Sequence, residues 1–207
     1  AAVLEIKKSG KLVPDILGLS LEGPYITKEK RGAQPEKHVR PFSSKELRRY
    51  LEAGQGDIKI MTLAPEIQRA GSLIRYLKDE KIVAAAGHSN ATFSQAVKGI
   101  RAGISHGTHL FNAMSGILHR DPGLAGALLM DDSVSVELIA DGIHLHPSIP
   151  ALVAKIKPLD KIILVTDATR NAGRKKSPLR TEDGRLYGSA ISLDLALKNM
   201  IAWTGRP

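Results

Sequence analysis

The sequence predicts an α/β chain built as a TIM-type (β/α)8 barrel, of which it carries an incomplete part. Two observations lead there. Six apolar stretches recur, ILGLSLEGP (16–24), IKIMTLAPE (58–66), KIVAAAGHSN (81–90), GISHGTHLFNAM (103–114), VELIADGIHLHP (136–147) and KIILVTDA (161–168), and most are followed by a segment of helical periodicity. Each ends in a polar residue suited to chemistry, and strand, polar tip, helix is the repeat of a parallel barrel whose site gathers at the C-terminal ends of its strands. A full barrel needs eight strands, so two are expected from sequence outside this chain. The opening AAVLEIKKSGKLV reads as the tail of a helix and the chain stops at WTGRP just after one, so both ends are expected to be cut.

The connecting helices follow from caps and stripes. Ser43 or Ser44 caps a helix through SKELRRYLEA, which Gly54 ends. Glu66 to Lys81 places Ile67, Ala70, Ile74 and Leu77 on one face. Thr92 and Gln95 form a capping-box pattern for FSQAVKGIRA, closed by Gly103. Pro147 starts a helix whose expected buried stripe is Ile149, Leu152, Val153 and Ile156, and Ser192 is the expected cap of LDLALKNMIAW. DPGLAGALLMDD (121–132) is short and glycine-rich, a weaker helix pattern. No repeat or linker divides the chain, so residues 1–207 read as one partial barrel domain, with 170–190 a loop or β insertion.

Composition narrows the class. With 207 residues, 43% of them hydrophobic, one sizeable core is affordable, and the absence of cysteine excludes thiolate metal sites and disulfides. No apolar run reaches the ~20 residues of a membrane span and no signal peptide opens the chain, so a cytoplasmic protein is the expectation. The formal charge of +9 admits nucleic acid, but aromatics are only 4% and the basic residues are scattered. Their densest groups are Lys28, Lys30 and Arg31, then Arg170, Arg174, Lys175 and Lys176. A basic nucleic-acid module would interleave aromatic and basic residues, and this chain does not. A positive field equally suits a phosphorylated metabolite.

The strand tips carry Glu22, His88, His109, His144 and Asp167. Two histidines and a glutamate on separate tips form a set for one divalent ion, with zinc favoured and iron, cobalt or manganese compatible. A carboxylate beside activated water, here Asp167, then serves as general acid–base. In SHGTH the metal ligand is expected to be His109, with His106 a packed or supporting group. His144 and His146 lie two apart: on a continuing strand they share a face, and otherwise His144 faces the site while His146 lies in the loop. His38 and His119 read as loop histidines.

In order, LEGPYITKEKRGAQ, MTLAPE, GHSNAT, THLFNAM, RDPGLAG, ELIADGIHLHP, LVTDAT and a late GS stretch resemble the N-acetylglucosamine-6-phosphate deacetylases of the amidohydrolase superfamily. The resemblance covers nearly the whole chain. It implies a cytoplasmic, homodimeric, metal-dependent hydrolase that removes acetate from N-acetylglucosamine 6-phosphate, with the galactosamine epimer as the close alternative. It implies metal ligation by Glu22, His88 and His109 and proton transfer by Asp167. Sugar-phosphate contacts fall on Ala33, Asn112, Ala113, Arg120 and His144, with Arg120 able to reach the phosphate held by the neighbouring subunit, and Gln34 is a further substrate-binding candidate as a hydrogen-bond donor. Three departures stand out. The family's small β-sandwich and its HxH strand are missing, Gln34 stands where many relatives carry histidine, and Thr169–Gly184 is shorter than the family's hairpin, as though residues had been omitted.

Overall fold

A computed structural model describes residues 5–6, 16–169 and 179–206. Six strands form one parallel sheet in chain order: β1 (Leu19–Glu22), β2 (Ile58–Leu63), β3 (Val83–Ala86), β4 (Ile104–Gly107), β5 (Ser135–Leu138) and β6 (Ile162–Leu164). Among the described residues each strand pairs with its sequence neighbours, β1 and β6 stand at the two ends, and the sheet is a curled half-barrel. All six predicted strands are present, but they are shorter than the apolar stretches. β3 stops at Ala86, two residues before His88, and β5 stops at Leu138, well before His144. The chemistry therefore sits in the loops immediately past the strands.

The helices are α1 (Ser44–Gly54), α2 (Ala70–Asp79), α3 (Phe93–Ala102), α4 (Gly123–Met130), α5 (Ser148–Ile156) and α6 (Leu193–Thr204). The expected caps of α1 and α3 form: Ser43 accepts the Glu46 N–H, and Thr92 and Gln95 make a reciprocal capping box. Gly54 is the last residue of α1, and Gln55 after it takes the left-handed conformation. Gly103 follows α3 at φ +130°, where a side chain would be strained. α4 forms despite its glycines, and all of it but Met130 is buried.

Three helix expectations need correction. α2 starts at Ala70 rather than Glu66: Arg69 just before it takes the left-handed conformation (φ 64°), which a helix cannot run through, and the Glu66 carboxylate accepts from Ser89 Oγ and the Asn90 N–H. The buried stripe of α5 is Pro150, Val153 and Ala154; Leu152 is 48% and Ile156 51% exposed. That helix is apolar on two sides, so hydrophobicity alone does not choose its inner face. Ser192 occupies the cap position of α6 without making the side-chain bond.

The core is the outer face of the sheet under its helices, with Met61, Leu63, Leu73, Leu77, Leu128 and Leu138 almost fully buried. Ala84, Ala85 and Ala86 keep β3 thin, and a Cβ on Gly87 would stand 3.0 Å from both Thr62 and Thr108. The ends of β2, β3 and β4 consequently converge, and the Thr62 and Thr108 hydroxyls bond each other at 2.8 Å. Lys157 is buried, its ammonium donating to the carbonyls of Leu128 (2.7 Å) and Asp131 at the end of α4, where a cation meets the negative end of the helix. Residues 179–189 fold back over the rim: Arg180 pairs antiparallel with Leu186, and the Ser189 N–H donates to the Asp167 carbonyl at 3.1 Å. The omission expected within 169–184 falls mostly on residues 170–178, outside the described residues, as does most of the expected opening helix tail.

Candidate metal centre

At the C-terminal rim Glu22, His88 and His109 come together. Their donor atoms all lie within 4.8 Å of one another. His109 Nε2 is 3.1 Å from His88 Nε2 and 3.3 Å from Glu22 Oε1, and His88 Nε2 touches the same oxygen. Metal bonds of ~2.0–2.1 Å at tetrahedral angles separate ligand atoms by roughly 3.3 Å, so the residues fit a single divalent ion. Protonation supports the fit. His88 Nδ1 lies 2.7 Å from the Lys30 carbonyl, which only accepts, so Nδ1 carries the proton and Nε2 is free as a ligand. Burial opposes ionisation of Glu22, but His109 and His88 outweigh it and hold its carboxyl well below the usual range.

The backbone makes this meeting possible. His88 (φ 49°), His109 (φ 32°) and Asp167 (φ 48°) all adopt left-handed conformations that non-glycine residues rarely take. Each turns sharply off its strand and aims its side chain across the rim. Gly32 packs against the other side: a Cβ there would lie 3.2 Å from His88 Cε1.

These residues line an open pocket of about 600 Å3, together with Ala33, Gln34, Asn112, Ala113, His144 and Asp167. That volume suits a small metabolite. Burial, then the charge of Glu22, push the Asp167 carboxyl above its ordinary value, and a cation at the three ligands acts in the opposite sense. Asp141 orients His144, accepting from its Nδ1 at 2.7 Å and from its backbone N–H at 2.8 Å, and it also accepts from Ser189 Oγ. Burial works against that carboxylate, yet these bonds hold it at about 2.

No protein-family model matches the chain. Individual proteins do. N-acetylglucosamine-6-phosphate deacetylase of Bacillus subtilis is 39% identical across 96% of this chain and 54% of its own length. N-acetylgalactosamine-6-phosphate deacetylase of Escherichia coli O157:H7 is 36% identical across 92% of this chain and 54% of its own. A mutant N-acetyl-D-glucosamine-6-phosphate deacetylase from Mycobacterium smegmatis, in complex with N-acetyl-D-glucosamine-6-phosphate, superposes with a TM-score of 0.90 at 31% identity, over 99% of this chain and 57% of that one. The chain is related to the N-acetylglucosamine-6-phosphate deacetylases. It spans about half the length of the curated relatives it matches.

Of the positions singled out by resemblance to these deacetylases, nine line the one pocket and Arg120 does not; its guanidinium is exposed, 2.9 Å from His119 Nε2. His146 also stands apart, exposed and bonded to Ser148, because β5 has ended before it; of the two readings of DGIHLHP, the loop reading is the one observed. His106 is buried against Glu137 beneath His109, a packed group as expected. Sequence reasoning missed Asp141, Glu137, Glu66 and the pocket cation Arg185. Asp141 had a readable signal, since Asp-Gly starts a turn, and Glu137 is a carboxylate inside an apolar strand. Arg185 had none.

Two outcomes follow. His88→Ala and His109→Ala should each strip divalent metal from the purified protein by elemental analysis; unchanged content in both would remove the assignment. Asp141 is bound more favourably ionised in the folded state than its ordinary 3.8, so its contribution is present above about pH 4 and lost as pH falls towards 2. Asp141→Asn should therefore cost about 2 kcal/mol near neutrality, with the gap to wild type closing in acid, read by urea unfolding at several pH values.

Proposed function

We propose that this chain carries the site for metal-dependent deacetylation of N-acetylglucosamine 6-phosphate, giving glucosamine 6-phosphate and acetate. The observation that supports it most is that Glu22, His88, His109, His144 and Asp167, from five separate strand ends, line one pocket. Glu22, His88 and His109 hold one divalent ion, zinc being favoured by the mixed nitrogen and oxygen donors. Bound there, the ion supplies Lewis acidity, lowering the pKa of water towards ~7 and polarising the acetamide carbonyl. The remaining work belongs to side chains. Asp167 takes the proton of the attacking water and delivers it to the departing amine as the C–N bond breaks. His144 has Nδ1 committed to Asp141, so Nε2 is the atom it offers to the acetamide. Gln34 donates to Glu22 at 3.3 Å, which leaves the carbonyl-facing role to His144.

The phosphate is assigned to this pocket, whose lining includes Asn112 and Ala113 together with the cations Lys30, Arg31 and Arg185. Arg120 belongs to a phosphate site by resemblance, and its exposed position outside its own chain's pocket supports a homodimer in which it serves the neighbouring subunit. An arginine suits that role because its planar fork binds phosphate bidentately. The second reading is the same reaction on N-acetylgalactosamine 6-phosphate, favoured by the Escherichia coli relative named for it. Among the described residues no helix is long and apolar enough to cross a membrane.

The function is tested by acetate release from both epimers with zinc-loaded protein. Asp167→Asn should lower kcat by ~10²–10⁴ with metal content unchanged, and near wild-type turnover would move proton transfer to another group, with His144 the first alternative. Arg120→Ala should raise KM for the 6-phosphorylated sugar far more than for the unphosphorylated one; equal effects would take Arg120 out of the phosphate site.

A further inference from the structure

His88 and His109 are held in different ways. The ring of His88 is locked from behind, its Nδ1 donating to the Lys30 carbonyl at 2.7 Å while Nε2 faces Glu22. A ligating histidine ordinarily has such a partner on its far nitrogen. His109 lacks one: its Nδ1 is buried with no hydrogen-bond partner among the described residues. The position of its Nε2 is therefore set by packing and by the main chain. That main chain stands at φ 32°, a costly conformation for a residue with a side chain.

The group that holds it there is Glu137 in β5. Glu137 Oε2 accepts the His109 backbone N–H at 3.0 Å, and Oε1 bonds His106 Nε2 at 2.8 Å. The Leu110 N–H donates to the Glu137 carbonyl at 2.8 Å. The side chains of His106 and Glu137 are only 7% and 18% exposed, so water competes little for these bonds. A simple ion pair between β4 and β5 would need one carboxylate oxygen. Here the second oxygen grips the backbone of the ligand itself.

We propose that Glu137, fixed in turn by His106, is the positioning residue for His109 and sets how tightly the site holds its metal. This rests on the reading of Glu22, His88 and His109 as the metal centre. Removing the carboxylate frees the His109 backbone to relax from its left-handed turn, which carries Nε2 away from Glu22 and His88. Metal affinity falls although no ligand has been touched.

The test uses metal-stripped protein titrated with Co2+ against a chelating dye, with the cobalt d–d absorption recorded alongside. Glu137→Ala is expected to weaken Co2+ binding about 10–100-fold, the usual cost of losing a group that orients a ligand, and to alter the d–d bands. Glu137→Gln keeps an oxygen for the His109 N–H and should remain close to wild type. If Glu137→Ala does not fold by circular dichroism, His106→Ala is read instead, with a loss in the same direction. Unchanged affinity and spectrum in a folded Glu137→Ala or His106→Ala protein, with only thermal stability reduced, would make the pair merely structural and overturn the proposal. A Glu137→Gln protein as weak as Glu137→Ala would place the effect in charge and also overturn it. Wild-type protein that takes up no Co2+ would fail the metal centre itself, a separate outcome that removes this inference with it.

Discussion

Three donor atoms from three different strand ends must meet at one point, and much of the rim is arranged to allow it. Parallel pairing sends every C-terminal strand end to the same side. The side chains would still diverge if the chain simply ran on in extended conformation. Left-handed turns at His88, His109 and Asp167 fold them back over the sheet. Such turns persist only where the surroundings over-determine them, and half-buried carboxylates brace the rim around them: Glu66 grips the loop after His88, Glu137 the turn at His109, and Asp141 the neighbouring loop of His144. Carboxylates thus occupy two kinds of position, Glu22 and Asp167 lining the pocket and others anchoring backbone N–H groups behind it.

The sequence made the first kind visible and hid most of the second. A polar residue after an apolar run stands out whatever its partner, so Glu22, His88, His109 and Asp167 could be picked one stretch at a time. Glu137 stands out only as a carboxylate within an apolar strand; its role lies in His106, 31 positions away on the neighbouring strand. Nor do left-handed conformations announce themselves when the residue is not glycine. The six strands were readable because continuous apolar runs are what a sheet covered by helices requires. The inner face of α5 was not, since Leu152 and Ile156 are as apolar as Val153, and the fit of Pro150 and Ala154 decides which side lies inward.

Small residues have a comparable share in the site. Three alanines and Gly87 bring β3 close to its neighbours, and Gly32 leaves room for the His88 ring. A Cβ at Gly87 would press on Thr62 and Thr108 at 3.0 Å, and one at Gly32 on the His88 ring at 3.2 Å. The tolerance of the site is thus set partly by residues with no chemistry of their own.

The pairing of β1 carries one more consequence. Among the described residues it pairs with β2, and its Glu22 meets residues 66 and 87 positions further along the chain. A metal ion held at that meeting point would act as a clasp, tying β1 to the loops after β3 and β4 across a long stretch of chain. Local opening of β1 would then depend on ion occupancy. Hydrogen-exchange protection of β1 becomes a gauge of whether the centre is filled, independent of any turnover.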